Sequence, residues 1–279
     1  MHDARHGLSR PRVAVVIPVC NEQESLQVLR IRLAELQRSL QDRYITFYLF
    51  IDDGSTDRTV ELLPRTAPYG TSYRVVSHPC NLGVGAAFRT GFEIAASADV
   101  ICTLDADCSY RADQLAQMVH LIVEGKADVV VASPYHPQGS VEGVSPWRYA
   151  LSRYCSRLYR SISPVKLYTY TSMFRAYRGS FIRRAHFRSN GFVSTVEILM
   201  NASYLGYRIL EVPMTLHRRT TGCSKMRILR TIRDHLKLAM DCVFAGNNGY
   251  PSFCTPEAKQ DGQEKREDVG RIMKIVGSR

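Results

Sequence analysis

Residues 45–59 read ITFYLFIDDGSTDRT, an aromatic and β-branched run that ends in two adjacent carboxylates and a glycine-containing turn. Such a run predicts a buried strand over Ile45–Ile51. The polar turn that follows predicts a helix over Ser55–Leu63, capped by one of its first polar residues. A strand that passes through a tight turn into a helix is the repeating unit of α/β proteins.

The same alternation continues on both sides of this unit. Further strand-like runs are Val13–Val19, Tyr73–Ser77, Val100–Leu104 and Val129–Ala132, and further helical periodicities are Glu22–Leu40, Gly85–Ala98 and Gln114–Glu124. This alternation predicts an α/β fold with a mostly parallel, doubly wound, Rossmann-like sheet. In such a sheet, ligands bind beyond the carboxyl ends of the strands.

The pattern changes after residue 132, where a loop rich in proline, glycine and serine begins. The elements predicted beyond this loop are helices over Trp147–Ser161, Thr195–Leu205 and Arg227–Phe244, and strands over Met173–Tyr177 and Arg208–Leu216. We divide the chain into a flexible N-terminus (1–12), one α/β domain (13–225), a basic amphipathic helix (226–245) and a mobile tail (246–279).

The last predicted helix is both apolar and basic. Its apolar side carries Ile228, Leu229, Ile232, Leu236 and Met240, and Arg227, Arg230, Arg233 and Lys237 lie alongside. This pattern is typical of a helix that lies in a membrane interface. A helix that packs on the core and leaves its basic residues in water explains the pattern equally well, so both interpretations stay open.

The positive charge is unevenly distributed along the chain. The net charge is +11, but residues 141–240 hold 18 Lys/Arg and 4 Asp/Glu, whereas residues 1–140 hold 13 and 16. The basic stretch should therefore face phosphates, anionic lipid or nucleic acid. No apolar run of about 18 residues occurs, so no transmembrane helix is expected. The eight cysteines form no C-x-x-C pair, which favours reduced thiols in a cytoplasmic protein.

Carboxylates follow two of the predicted strands. Asp52 and Asp53 repel each other, and such a pair is tolerated where it binds donors such as base N–H groups or ribose hydroxyls. Asp105 and Asp107 follow another strand and converge if the extended conformation persists, because alternate side chains share a face. Two such hard ligands suit Mg²⁺ or Mn²⁺, with diphosphate oxygens and water in the remaining positions.

Two further segments contain phosphate-binding features. The glycines of Asn81–Ala87 let the backbone approach a ligand or turn tightly between a strand and a helix. The segment His217–Lys225 combines adjacent arginines with a glycine-bearing loop before a helix, which predicts a phosphate site.

Taken together, these motifs resemble the family-two, inverting glycosyltransferases of the GT-A fold, and especially the dolichol- and polyprenyl-phosphate mannose synthases. The matching motifs are IPVCNE (17–22), DDGSTDRT (52–59), NLGVGAAFRTGF (81–92), DAD (105–107), MFRAYR (173–178) and HRRTTGCSKM (217–226). They span most of residues 13–240, which makes a chance agreement improbable.

The resemblance implies a role for each matching residue. It assigns nucleotide-sugar binding to Pro18, Asn21, Glu22, Asp52, Asp53, Gly83, Asp105, Arg219 and Ser224, the metal to Asp105 and Asp107, and catalysis to Asp107, Arg218 and Lys225. The chain also departs from the family pattern. A family Gly-Ser-Arg loop is replaced by Ala132-Ser133-Pro134, so Arg148 or Arg175 would have to bind the phosphate instead.

The function implied is transfer of a hexose, mannose or glucose, from a nucleotide-sugar such as GDP-mannose to a polyprenyl phosphate. The enzyme would be cytoplasmic and peripheral on a membrane, with Mg²⁺ or Mn²⁺ as cofactor and no nucleic-acid partner. A hydroxyl acceptor is the alternative. It requires a carboxylate base, for which Glu197 is the candidate after residue 140. A sugar nucleotidyltransferase and a basic nucleic-acid-binding protein are weaker alternatives, since neither explains all the motifs.

Overall fold

The computed structural model describes residues 10–219, 228–244, 251 and 274–276. Its strands are β1 (Arg12–Val19), β2 (Ile45–Asp52), β3 (Ser72–Ser77), β4 (Val100–Thr103), β5 (Val129–Ser133), β6 (Ser140–Glu142), β7 (Arg175–Arg178), β8 (Ile209–Pro213), β9 (Thr215–His217) and β10 (Lys274–Val276). Its helices are α1 (Leu26–Leu40), α2 (Thr59–Leu62), α3 (Val84–Ile94), α4 (Leu115–Val123), α5 (Pro146–Ile162), α6 (Gly179–Ile182), α7 (Val193–Tyr204) and α8 (Ile228–Phe244).

A mixed, mostly parallel sheet forms the centre of the fold. The strand order is β10-β3-β2-β1-β4-β7-β5-β8, with parallel pairing except for β7, which runs antiparallel to β4 and β5, and β10, which runs antiparallel to β3. The predicted α/β architecture is confirmed. Because β1, β2 and β4 are parallel neighbours, their carboxyl ends lie at one edge of the sheet.

Several predicted elements differ from the structure at their ends. The helix predicted over Ser55–Leu63 is reduced to α2 (Thr59–Leu62), and the helix predicted over Gly85–Ala98 ends at Ile94. Helix α1 begins at Leu26 rather than Glu22, because residues 21–25 form turns in which the Ser25 amide donates to the Glu22 carbonyl. The predicted strand Arg208–Leu216 is two strands, and the second, β9, leaves the main sheet to pair in parallel with β6. The segment that contains Arg218 therefore follows β9 and not a strand of the main sheet.

The helices cover both faces of the sheet. The face of α1 that packs on the sheet carries the predicted leucines Leu26, Leu29, Leu33, Leu36 and Leu40, all of which are buried. Helix α7 is buried over nearly its whole length, and it packs with α3, α5 and α8 on the opposite face. Among the described residues, no helix combines the length and the apolar character needed to cross a bilayer.

Helix α8 has two apolar faces. His235, Leu238, Ala239 and Cys242 are buried against the core, whereas Leu236, Met240, Val243 and Phe244 are exposed, with Phe244 76% exposed. The helix therefore packs on the core, as one interpretation expected, and also presents an apolar stripe at its surface, as the other expected. The side chains of Ile228 and Leu229 lie outside the described residues, as does Arg227.

Candidate active site

The chain turns sharply just after β4. The strand ends at Thr103, and Ala106 and Asp107 form a turn before Cys108, whose φ is +56°. The extended conformation expected through Asp107 is therefore absent. The two carboxylates nevertheless face the same space. Asp105 and Asp107 both line the same two cavities.

The carboxylates experience different surroundings. Asp107 is buried, accepts a hydrogen bond from the Ser109 amide at 2.9 Å and forms an ion pair with the Arg219 guanidinium at 2.6 Å. Burial, and then the negative charge of Asp107, raise the pKa of Asp105 to about 8. Crowded carboxylates of this kind form a site that favours a cation.

The smaller cavity, of about 150 Å³, lies at the carboxyl ends of β1, β2 and β4. Outside the carboxylate pair, five of the residues predicted to bind a nucleotide-sugar line it, namely Pro18, Glu22, Asp53, Gly83 and Arg219. Cys20 lines it as well. The fold thus brings together residues that are up to about 200 positions apart in the chain.

The loop 52–55 (DDGS) is held in place mainly by hydrogen bonds that the side chains of Asp52 and Asp53 accept. Asp53 accepts hydrogen bonds from the amides of Leu82 and Gly83, at 2.9 and 2.7 Å, and contacts His78 Nδ1 at 2.8 Å. Asp52 is buried and accepts from the Ser55 amide at 3.1 Å. These contacts fix the strand-to-helix turn beside the cavity.

Asn21 performs a similar structural task. Its side-chain oxygen accepts hydrogen bonds from the amides of Thr56, at 2.6 Å, and Asp57, at 3.3 Å. Neither Asn21 nor Asp52 is among the residues that line the smaller cavity. Their role in nucleotide binding stays a prediction, whereas their role in shaping the loop is visible.

The segment 188–190 closes over the start of α3. A Cβ atom on Gly83, whose φ is +101°, would meet the Asn190 carbonyl oxygen at 2.3 Å, and one on Gly85 would meet the Ser189 carbonyl oxygen at 2.1 Å. The glycines of this motif thus permit a close approach between two backbone segments. The sequence indicated a close approach, but it did not show that the partner is the protein itself.

Glu197 anchors the same segment from the other side. Its two carboxylate oxygens accept hydrogen bonds from the amides of Arg188 and Ser189, each at 2.9 Å. Glu197 is buried and lines neither cavity, so the structure does not support it as a base for a hydroxyl acceptor. Its carboxylate positions the loop that leads into Phe192 and α7.

The larger cavity, of about 1230 Å³, lies between α5, the segment 169–173, β9 and α8. Its wall is rich in aromatic and apolar side chains, including Tyr110, Tyr135, Trp147, Tyr149 and Leu151. Arg148, Arg218 and Arg219 also line it. Among the described residues, its only acidic lining side chains are Asp105 and Asp107.

The two arginines considered as replacements for a family phosphate-binding arginine have different positions. Arg175 is fully buried and donates to the carbonyls of Thr195 and Tyr170, so it serves the core rather than a ligand. Arg148 lines the larger cavity, as the two carboxylates do. Ser224 and Lys225, predicted to contact the diphosphate and the acceptor, lie outside the described residues.

Glu211 was not identified from the sequence. Its carboxylate accepts hydrogen bonds from the amides of Tyr168, at 2.8 Å, and Thr169, at 2.9 Å, and from the Ser133 hydroxyl at 2.6 Å. It thereby fixes the segment that forms one wall of the larger cavity. No sequence signal marks this residue, because an acidic residue in a strand reads as an exposed position.

Known proteins share this arrangement over most of the chain. The solved structure of glucosyl-3-phosphoglycerate synthase from Mycobacterium tuberculosis with phosphoglyceric acid is similar with a TM-score of 0.59 and 16% identity, covering 84% of this chain and 79% of that one. The same enzyme with Mg²⁺ and uridine-diphosphate gives a TM-score of 0.60 at the same identity and coverage. This similarity confirms the predicted GT-A fold.

Relatives in sequence are more similar. A polyprenol monophosphomannose synthase of Mycolicibacterium smegmatis is 29% identical over 222 residues, 77% of this chain and 81% of that protein. An undecaprenyl-phosphate mannosyltransferase of Micrococcus luteus is 30% identical over 220 residues, 77% of this chain and 87% of that protein. An undecaprenyl-phosphate 4-deoxy-4-formamido-L-arabinose transferase of Yersinia enterocolitica is 31% identical, over 79% of this chain and 64% of that protein. The family model described as Glycosyl transferase family 2 matches residues 14–187, and the chain therefore belongs to that family.

Proposed function

We propose that this glycosyltransferase moves a hexose, mannose or glucose, from a nucleotide-sugar to a polyprenyl phosphate at the cytoplasmic face of a membrane. One observation carries the proposal: Asp105 and Asp107 line both a small cavity at the strand ends, which also holds Glu22, Asp53 and Asn81, and a large cavity with an aromatic and apolar wall. A transferase that joins a polar donor to a lipid acceptor needs two such sites that meet at one point. Family membership replaces the nucleotidyltransferase interpretation.

The smaller cavity suits the donor. Its position at the carboxyl ends of three strands is where nucleotides bind in open α/β sheets. GDP-mannose is our favoured donor, because two of the relatives are named as mannose-transferring enzymes. The third relative is named for a modified arabinose, so the sugar is not constant among similar proteins.

The residues present fit a divalent cation. The described chain has no cluster of three or more His, Cys, Asp or Glu side chains suited to a metal, but it has the pair Asp105 and Asp107. Mg²⁺ is commonly held by one or two carboxylates together with substrate phosphates, so a two-carboxylate site matches that chemistry. A bound Mg²⁺ or Mn²⁺ would neutralise the charge that builds on the leaving diphosphate. The structures of the glucosyl-3-phosphoglycerate synthase with either ion agree with this choice.

The larger cavity suits a phosphate-bearing acceptor better than a hydroxyl. A hydroxyl needs a general base; among the described lining residues the carboxylates are the proposed metal ligands, which leaves only the imidazoles of His217 and His235 for that task. A lipid phosphate is already anionic and attacks without giving up a proton. Arg148 and Arg218 line the cavity and would hold that phosphate, and the aromatic wall would contact the first isoprene units.

The mechanism follows from these positions. The chain would bind the acceptor phosphate in the larger cavity, with its oxygen facing the anomeric carbon on the side opposite the diphosphate. Arg218 and Arg219 would reduce the repulsion between the two phosphate groups and orient them. The new bond forms as the old one breaks, so the configuration at the anomeric carbon inverts.

The proposed membrane contact rests on the surface of α5 and α8. Leu236, Met240, Val243 and Phe244 on α8 are exposed, and so are Trp147 and Tyr154 on α5, which packs beside α8. Arg157 on α5 and Arg230, Arg233 and Lys237 on α8 are exposed on the same two helices. Apolar stripes bordered by basic residues are typical of helices that lie in a membrane interface. Both helices also line the larger cavity, which would place its mouth near the lipid.

The test is a transfer assay with purified protein and Mn²⁺. GDP-mannose or UDP-glucose labelled in the sugar is offered undecaprenyl phosphate, undecaprenol or a soluble saccharide. We expect labelled lipid from undecaprenyl phosphate only, and loss of product when the metal is chelated. Transfer to the saccharide alone would replace the proposal with the hydroxyl-acceptor alternative, and product that survives chelation would remove the metal from it.

A further inference from the structure

Five residues line both cavities, and they mark the place where the reacting sugar must lie. They are Asp105, Asp107, Met173, Phe192 and Arg219. In an inverting displacement the nucleophile and the leaving group are on opposite sides of the anomeric carbon. If the nucleotide occupies one cavity and the acceptor the other, the sugar ring lies where the two cavities join. This step rests on the proposed function.

The charged residues of this junction have other tasks. Asp107 and Arg219 are paired at 2.6 Å, and Asp105 and Asp107 are the proposed metal ligands. The remaining two shared residues are Met173 and Phe192. Both are apolar and half-buried, and both line the two cavities, while Met173 also packs against the core on the α7 side of the sheet.

The backbone holds both apolar residues in place. The Thr103 hydroxyl, at the end of β4, donates to the Met173 carbonyl at 2.5 Å. The Phe192 carbonyl accepts from the Thr195 hydroxyl at 2.8 Å, at the start of α7. The first contact ties Met173 to the strand that leads to the carboxylates, so its distance from the reacting centre is fixed by the sheet.

We infer that Met173 and Phe192 are specificity-determining residues that contact the transferred sugar through its apolar C–H surface. A side chain that hydrogen-bonds a hydroxyl rejects a substrate that lacks it by about 10⁴-fold or more, whereas an apolar wall discriminates only about 10- to 100-fold. The sugar edge that faces Met173 and Phe192 is therefore selected for shape and apolar contact. A sugar that lacks a hydroxyl on that edge remains a good substrate.

Binding measurements separate this role from a structural one. The dissociation constants of GDP and GDP-mannose, and of UDP and UDP-glucose, are measured with Mn²⁺ for the wild-type protein and for Met173→Gln and Phe192→Gln. We expect each variant to change the ratio of nucleotide to nucleotide-sugar affinity by about tenfold. The affinity for the bare nucleotide should stay within about twofold of the wild-type value.

Conservative variants provide the controls. Met173→Leu and Phe192→Leu should keep the wild-type affinity ratio, and so should Val123→Thr, because Val123 is an exposed residue of α4 that lines neither cavity. Kinetics with 6-deoxy, 4-deoxy, 3-deoxy and 2-deoxy forms of the active donor complete the test. For at least one of these deoxy donors, the kcat/KM of the wild-type protein should be less than about 100-fold below its value for the complete donor. Met173→Gln or Phe192→Gln should make that difference in kcat/KM larger.

Two results would overturn the inference. One is a loss of bare-nucleotide affinity equal to the loss of nucleotide-sugar affinity in the glutamine variants, which would show a structural role. The other is a loss of about 10⁴-fold at every deoxy position in the wild-type protein. A wild-type protein that binds nucleotide-sugars through Met173 and Phe192 but transfers nothing to any acceptor would contradict the proposed function instead.

Discussion

At the scale of single residues, Asp105 and Asp107 are positioned by a turn and not by a strand or a helix. Asp105 and Asp107 face common cavities because a turn at Ala106 and Asp107, with Cys108 at positive φ, brings the second side chain back toward the first. The sequence predicted the same result from another geometry, an extended strand in which Asp105 and Asp107 share a face. The pair depends on the local turn, and Arg219 from a distant segment completes it.

Replacement of Asp107 by asparagine should abolish transfer while the fold is retained. The amide has the same shape but lacks the charge that would bind a cation and pair with Arg219, so we expect at least about a 100-fold loss of kcat. Sugar transfer and the thermal unfolding midpoint would be measured together. Asp113→Asn, on an exposed ion pair with Arg111, is the matched control and should leave both unchanged. Full turnover by a folded Asp107→Asn protein would contradict the metal site.

Arg148 should matter for the acceptor and not for the donor. Loss of a charge-assisted contact to a phosphate weakens binding by about tenfold or more, so Arg148→Ala should raise KM for undecaprenyl phosphate by at least that factor. The KM for the nucleotide-sugar should change little. Arg157→Ala, on an exposed position of the same helix, is the control. An equal effect of both substitutions would mean that general positive charge, and not this site, attracts the acceptor.

At the scale of elements, two buried or partly buried glutamates hold the loops that form the walls of the site. Glu197 binds two amides of the segment 188–190 beside the smaller cavity, and Glu211 binds two amides of the segment 168–169 beside the larger one. A carboxylate can accept both hydrogen bonds, whereas a glutamine offers one oxygen and faces the second amide with its own N–H groups.

The substitutions Glu197→Gln and Glu211→Gln therefore serve as controls for each other. Each should lower the free energy of unfolding by about 1–3 kcal/mol, because an amide loses its acceptor. We expect Glu197→Gln to raise KM for the donor and Glu211→Gln to raise KM for the acceptor. Denaturant unfolding and steady-state kinetics measure the two effects. Identical kinetic changes in both variants would show that the loops do not act separately.

Helix α8 contributes a pH dependence through His235. Burial lowers the pKa of His235 to about 4, and its Nδ1 lies 3.0 Å from the Tyr159 hydroxyl. The unfolded chain takes up a proton near pH 6.5 that the folded chain does not take up until about pH 4. The contribution of His235 to the free energy of unfolding is therefore fully present above about pH 6.5 and is lost as the pH falls toward 4, by on the order of 3 kcal/mol.

The substitution His235→Asn should remove much of this pH dependence. Asparagine keeps a polar group near Nδ1 but does not titrate, so its unfolding free energy should fall less between pH 7 and pH 4 than that of the wild-type protein. The measurement is denaturant unfolding across that range. His120→Asn provides the comparison, since the His120 side chain is 44% exposed and pairs with Glu124 at the surface. A wild-type slope that persists in His235→Asn would assign the pH dependence to other groups.

At the scale of the whole molecule, the basic residues of the stretch 141–240 occupy two kinds of position, inside the protein and at its surface. Some arginines are internal, such as Arg175 in the core and Arg178, which pairs with Asp128 at 2.7 Å. Others remain at the surface of α5 and α8, near the exposed apolar stripe. The net charge of the stretch therefore overstates the charge available to an anionic partner, but the remaining charge lies on the surface that the proposed membrane contact requires.

Vesicle binding tests that surface. The combined substitution Leu236→Ser, Met240→Gln and Phe244→Gln should weaken binding to vesicles that contain anionic phospholipid by at least about tenfold, because the apolar anchor is removed. Wild-type binding should also weaken as salt is added. Ile31→Ser, at a residue of α1 that is 55% exposed, is the matched control and should bind like the wild-type protein. Unchanged vesicle binding by the triple variant would rule out this face.

The sequence by itself determined the order of strands and helices as far as β5, because the alternation of apolar and polar residues reports burial directly. It also identified the carboxylate pair and the family, since motifs such as DDGSTDRT and DAD are local and follow strand ends. It could not show that Asn21 holds the loop of residues 56–57, or that Glu197 anchors the segment 188–190, because each of these contacts joins a side chain to amides of another segment.

Only the tertiary structure decided where the two cavities meet. Met173, Phe192 and Arg219 come from three separate segments, and their shared position beside Asp105 arises because the sheet edge gathers strand ends in an order different from that of the chain. The antiparallel insertion of β7 between β4 and β5 has no local sequence signal either, since pairing depends on which strands find each other in space. Local patterns record what each residue prefers, whereas a site depends on which distant residues the folded chain brings together.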